Sequence, residues 1–230
     1  MTLLPMLRLQ QLADSAFPIG GAAHSFGIEA LVHAGHINTD LLPAFFQDYL
    51  QEAGALEAAY CAASCTLARG DCANDESIRQ WMRWNAELGA RKLARESRDG
   101  SAAMGRRFLR LAASMSGDEL LIEASEIVSA SGAEVHLAAC FGFVAGVLEI
   151  DPATAAAAYL QQSMTALVSV CQRLLPLGQT QAHRILWNLK PAILAAVDRV
   201  GEPALTLSFT PLLDFASAQH ATLYTRLFMS

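Results

Sequence analysis

Two clusters in this 230-residue chain carry the side chains that bind metals. His33-x-x-His36 follows Glu29, and Glu29 and His33 are four residues apart, so a helix would line three ligands along one side. Cys61 and Cys65 share that spacing, at which two thiolates hold a soft metal. Each cluster has a plainer reading. Gly35 marks a helix end, where histidines meet the last carbonyls favourably. The cysteines lie in Ala-rich sequence, where cysteine is usually a small core hydrophobe. The plainer reading is preferred for both. A metal-binding protein or direct metallochaperone using His24, His33 and His36 or the Cys61/Cys65 pair stands as the alternative.

Other chemistries find less support. Neither G-x-x-x-x-G-K-[ST] nor G-x-G-x-x-G occurs, and Gly20-Gly21 after Pro18 reads as a backbone turn. Ser25 beside His24 is no triad, because helix neighbours do not face each other and no Gly-x-Ser-x-Gly elbow surrounds them. Glu87, Glu96, Glu119, Glu123 and Glu126 read as solvated helix faces, and the paired Glu-x-x-His motifs of a di-iron bundle are missing. We expect no catalytic residue, no resident metal and no cofactor. The chain is read as a non-enzyme.

Three places remain that packing does not demand. Asp14–Gly21 is a dense turn between two helical segments, and Pro176–Gln179 is a similar junction. The last stretch gathers His220, Tyr224, Arg226, Leu227 and Phe228 where chains normally fray. Tyr and Arg are enriched in tight interfaces, so this tail is expected to dock on another chain in preference to its own core.

The elements that must position these residues are helices. Ala and Leu dominate, and both are strong helix formers. Thr39-Asp40 offers a cap before a stripe of Leu42, Phe45, Phe46, Tyr49 and Leu50. Ser116-x-x-Glu119 is a capping-box pattern opening the segment Leu120–Ala130. Asp151-Pro152 is a further start signal, followed by one apolar face of Leu160, Met164, Leu167, Val168, Cys171, Leu174 and Leu175. A helix from Thr180 should turn Leu186, Leu189, Ile193 and Val197 inward and be kinked or split by Pro191. Gly70–Ser77 reads as a loop, and Ala204–Phe209 as an extended connector or a lone strand. The expected architecture is all-α, a single-domain multi-helix bundle over residues 1–230, with a partner-binding carboxyl-terminal segment of about 211–230.

Composition bounds the function. Hydrophobic residues make up 53% and charged residues 17%, more apolar and less charged than average domains, which leaves apolar surface for a partner. Net charge is −6, and no basic block is present to neutralise phosphates, so nucleic acid is not an expected partner. A membrane-docking helical protein is the third reading, weakened by the acidic charge. Met1–Ser15 contains Arg8 and Asp14 and reads as part of the fold, not as a signal peptide. Five cysteines, an odd number, suit free thiols in a reducing cytoplasm.

The same three places resemble the urease accessory protein UreF family. The run from Leu12 to Glu29 (LADSAFPIGGAAHSFGIE) matches its amino-terminal signature, and Arg173 to Gln179 (RLLPLGQ) its central one. Pro211 to His220 and Tyr224 to Ser230 match its carboxyl end, and Arg95–Arg98 leading to Gly105-Arg106 is similar too. The resemblance implies an all-helical fold, usually a homodimer. It implies a scaffold or chaperone, cytoplasmic, that assembles with the UreD/UreH accessory protein and the GTPase UreG on apo-urease. Its role there is protein complex assembly and GTPase regulation, permitting GTP-dependent nickel insertion. Carried over by motif as partner-binding are Gly20, Gly21, His24, Ser25, Gly27, Glu29, Arg173, Gly178, Gln179, His220, Tyr224, Arg226 and Phe228. The chain departs from the family at Ala22, where an aromatic is common, at Ala221, where a carboxylate is usual, and at His183, where Gln is common.

Overall fold

A computed structural model describes residues 3–69, 75–201, 203 and 206–229. Helix α8 (Leu137–Val147) is hydrophobic on every side, and all of its residues from Leu137 to Gly146 are buried, as an all-apolar helix requires. Around it pack α4 (Ala55–Leu67), α6 (Arg95–Ser116) and α9 (Pro152–Leu174), and α5 (Asp75–Arg91) and α7 (Glu119–Ser131) touch it less extensively, α5 through Trp81 on Phe143. The remaining helices are α1 (Leu3–Leu12), α2 (Ile28–His33), α3 (Leu42–Tyr49), α10 (Gln179–Asn188), α11 (Lys190–Asp198) and α12 (Pro211–His220). Among the described residues there is no strand. The all-α expectation holds; of the connector or strand expected over Ala204–Phe209, residues 204 and 205 lie outside the described residues and 206–209 form neither helix nor strand.

The tightest seam is α4 on α8. A Cβ built on Gly142 would stand 1.9 Å from the carbonyl oxygen of Cys61, and one on Gly146 would stand 2.3 Å from that of Cys65. Glycines four apart on one helix thus meet cysteines four apart on the other, backbone against backbone. Cys61, Cys65, Cys140 and Cys171 are free and buried. Burial pushes the Cys65 and Cys171 thiols each up to about 12 and raises Cys61 well above its usual value, and the Cys65 thiol donates to the Ile150 carbonyl at 3.2 Å. The core reading of the Cys61/Cys65 pair is the one realised. Cys72 lies outside the described residues.

Several local expectations shift by a residue or two. The Asn38 side chain, not Thr39 or Asp40, accepts the amides of Asp40 and Leu41 (3.0 and 3.1 Å) ahead of α3. Asp118, not Ser116, caps α7, accepting from the Leu121 amide at 3.2 Å. Ser116 instead closes α6, and its hydroxyl accepts from the Asp118 amide. Asp151 caps α9 as expected, 2.9 Å from the Thr154 amide. Pro191 divides α10 from α11 and stands in the first turn of α11, where a missing N–H costs nothing. The loop expected over Gly70–Ser77 reaches outside the described residues at 70–74; from Asp75 onward the chain is helical. Between α3 and α4 the helix does not stop but passes through a single π turn, Leu50–Gly54, the commonest form of that rare element.

His136, just ahead of α8, is fully buried beneath Gly89, and neither ring nitrogen has a hydrogen-bond partner among the described residues. Its backbone amide donates to the Asn85 side chain at 2.7 Å. Burial, aided by Lys92, Arg98 and Arg106, lowers its pKa to about 3. The unfolded chain therefore takes up this proton first. Stability contributed by the neutral ring is complete above about 6.5 and is lost as pH falls from there toward 3, at about 1.4 kcal/mol per pH unit. His136→Leu should flatten the urea-denaturation profile across that window by one proton relative to the parent. Equal slopes in the two proteins would show that the ring is protonated in the folded state.

Candidate functional site

The amino-terminal signature is built around left-handed turns. Gly20 (φ 84°) precedes a 3₁₀ turn at Gly21–Ala23, and Gly27 (φ 89°) opens α2. Glycine takes these angles without strain, and at Gly27 there is no room for anything larger. A Cβ there would stand 2.5 Å from the Ser217 hydroxyl on α12. This close approach sets α12 against α2 and brings the carboxyl-terminal segment over the first turn of α2.

Glu29 is the hub. It is fully buried, and its carboxylate accepts from the backbone amides of Leu227 (2.7 Å) and Phe228 (3.3 Å). The same carboxylate lies 2.7 Å from Nε2 of His220, which is also fully buried. On the other side of the ring, Nδ1 lies 2.7 Å from Glu96 on α6, whose second oxygen accepts from Arg226 at 3.1 Å. Burial alone would raise the Glu29 pKa, but the Leu227 amide and His220 outweigh it and hold the carboxyl below its usual range. The imidazole is thus held between two carboxyl groups, one at each ring nitrogen.

Arg173, near the end of α9, closes the assembly from the central signature. It donates to the Ala22 carbonyl at 2.9 Å and lies over the Phe228 ring at 4.3 Å, a cation–π distance. The Met229 amide donates to the Ala23 carbonyl at 2.7 Å. Three segments far apart in sequence thus form one junction.

The residues singled out from sequence divide accordingly. Gly27, Glu29, Arg173, His220, Arg226 and Phe228 meet in the junction. Gly20 and Gly21 shape the turn beside it; Arg107 of α6 packs on Gly20 and donates to the Ile19 carbonyl. His24 and Ser25 are buried, His24 stacking on Phe26 with ring centroids 5.7 Å apart. Burial, then Arg107, lowers the His24 pKa. Gly178 and Gln179 begin α10 and are exposed, away from these contacts. Tyr224 is fully exposed.

Two expectations need correcting. The tail folds back onto its own chain through His220 and Phe228, because Glu29 supplies the acceptors that the tail's amides need; Tyr224 and the rim at Arg226 stay outward. Glu96 is no solvated face but a ligand of His220. The signal for it was faint, lying only in the similarity of Arg95–Arg98 to a known pattern. The metal cluster proposed around His33 is not assembled. Glu29 turns inward to His220, while His33 at the last position of α2 and His36 beyond it are exposed. Among the described residues no three His, Cys, Asp or Glu side chains are placed to hold a metal ion.

A sequence model of the UreF family matches residues 38–190 of this chain. The chain belongs to the UreF family. Urease accessory protein UreF of Actinobacillus pleuropneumoniae serotype 3 is 30% identical over 224 residues, spanning 96% of this chain and 97% of that protein. UreF of Arthrobacter sp. strain FB24 is 30% identical over 231 residues, 97% and 96% of the two chains. That of Picosynechococcus sp. is 31% identical over 229 residues, 99% and 100%. These similarities extend beyond residues 38–190 over nearly the whole chain. No helix among the described residues is long and apolar enough to cross a membrane.

Proposed function

We propose that this chain is a non-enzymatic scaffold of urease maturation in the cytoplasm. It pairs with a second copy of itself, binds the UreD/UreH accessory protein and the GTPase UreG, and positions them on apo-urease so that nickel is inserted when GTP is spent. Nickel is cargo in this reading and needs no resident site. The observation that carries it is the junction: the side chains that in an enzyme would be set toward a substrate are here used up in pinning the tail against α2. Glu29 and His220 have their hydrogen-bonding capacity filled by the chain itself.

The pinned tail gives the reading a specific surface. Leu227 and Tyr224 face outward, and α12 adds exposed Leu212 and Phe215. An aromatic and arginine rim beside exposed apolar side chains is the composition of a protein-binding patch. Co-expression with UreD/UreH and UreG followed by size-exclusion chromatography tests the scaffold directly, with a stable complex expected. Tyr224→Ser, which removes no contact within the chain, should weaken UreD/UreH capture about 10-fold or more while leaving circular dichroism unchanged. Correctly folded proteins that fail to associate would end the scaffold reading, and undiminished capture by Tyr224→Ser would move the interface elsewhere.

A further inference from the structure

Beneath the segment that leads into the tail lies a cavity of about 140 Å³. Its walls are mainly apolar, with Leu56, Met104, Leu137 and Leu167 among them, and its roof includes Thr210, Leu213 and Ser217. At one end stands a polar group that the junction does not use. Glu57 accepts from Lys92 at 2.5 Å and from the Tyr159 hydroxyl at 2.7 Å. Beside these, Gln162 also lines the cavity and exposes only 9% of its surface. Its side-chain oxygen has no hydrogen-bond partner among the described residues, and the hydroxyl of Ser97, another wall residue, has none either.

Buried acceptors are nearly always satisfied, because an orphan bears the full cost of desolvation. A cavity of roughly 150 Å³ with apolar walls holds one benzene-sized molecule. Those two facts together define an occupant. We propose that this cavity is a binding site for a small monocyclic or branched molecule of about seven heavy atoms, apolar over most of its surface and carrying one N–H or O–H that donates to Gln162. Each Glu57 oxygen already accepts one hydrogen bond, from Lys92 and from Tyr159, whereas the Gln162 oxygen accepts none among the described residues, so Gln162 is the acceptor assigned to the ligand.

The floor and the roof differ in how they are held. The floor is the core formed by α4, α6, α8 and α9. Leu213 and Ser217 belong to α12, which is packed on α2, while the segment leading into α12 is held by Arg91, which donates to the Thr206 carbonyl at 2.6 Å, and by the Phe209 amide donating to Glu52 at 2.8 Å.

Phenol and toluene, equal in heavy-atom count and differing in one donor, are the probes. The ε-methyl NMR signal of Met104, assigned through Met104→Leu, should shift saturably with phenol, with a Kd on the order of 1 mM. Gln162→Leu removes the acceptor and keeps the volume, and should lower the phenol-to-toluene affinity ratio about 10-fold. Gln162→Met serves as the second variant should the first fold poorly. A Met104 signal unmoved to the solubility limit would mean that water alone fills the cavity and would overturn the proposal. An unchanged ratio in both variants would overturn the assignment of Gln162. The test does not depend on urease proteins, so it stands or falls apart from the scaffold reading.

Discussion

Glu29→Gln should detach the carboxyl-terminal segment from the rest of the molecule. The substitution keeps the shape of the side chain, but it removes the charge that faces the buried His220 ring and two backbone amides, leaving Glu96 as the carboxylate that still meets that ring. Breaking one partner of a buried pair costs about 3–5 kcal/mol, and each 1.4 kcal/mol is a factor of ten. The Leu227 and Phe228 amides should therefore exchange with deuterium at least about 100-fold faster, while amides of α8 keep their protection. Trypsin should also cut after Arg226 far sooner than in the parent. Acid should act in the same direction. Because the folded carboxyl titrates below its usual value, its contribution is complete above the unfolded pKa and is lost as pH falls through the folded one. Unaltered protection of Leu227 in the variant would show that Arg173 and Phe228 hold the tail without Glu29. A detached tail should also lose UreD/UreH binding if the pinned surface is the one that partner reads, so the same variant links the local chemistry to the proposed assembly.

Gly142→Val should be the most damaging single change in the core. Even the first added carbon would overlap the Cys61 carbonyl at 1.9 Å, and a carbonyl in a helix cannot rotate away as a flexible side chain does. The two helices must separate, and α8 is packed on every side, so the shift spreads to α6 and α9. Overpacking of cores costs about 1–3 kcal/mol where side chains yield, and here backbone must yield. Against a total stability of about 5–15 kcal/mol, Gly142→Val is expected to leave little folded protein. Gly142→Ala should still lower the urea midpoint, although alanine is the better helix former by about 1 kcal/mol. Gly146→Ala, with a milder overlap of 2.3 Å, should fall between Gly142→Ala and the parent. A midpoint raised by either alanine would show that helix propensity, not the approach of α4, governs these positions.

Much of the helical scaffold is legible in the sequence, because caps and periodic apolar faces are local. Asp151-Pro152 starts α9, and the predicted face of Leu160, Met164, Leu167, Val168 and Cys171 is buried. Caps slip where several polar residues compete over three positions, as Asn38 does with Thr39 and Asp40. The long-range features are not legible in that way. Gly142 and Gly146 read as ordinary helix-weakening residues until α4 is laid against them. Glu29 and His220 are separated by 191 residues, and nothing in either neighbourhood names the other. Glu57 differs, because its own neighbourhood signals that it is buried and paired. A lone carboxylate in the run of Ala, Leu, Tyr and Cys that makes α4 cannot be buried without partners, which here are Lys92 and Tyr159.

The π turn at Leu50–Gly54 carries a consequence for changes of chain length. A wide turn accommodates one more residue than the regular spiral, and each residue in an α-helix rotates the chain by about 100°. The half before it directs Leu42 and Phe46 inward, and the half after it directs Cys61 and Cys65 onto the glycines of α8. Excising a solvent-facing residue such as Gln51 would take out that extra residue and let the regular spiral close with both halves in phase, whereas a deletion within α3 or α4 would swing one half relative to the other by more than a quarter of a revolution. Tolerance of deletions in this stretch is thus governed by angular phase, not by which side chain is lost.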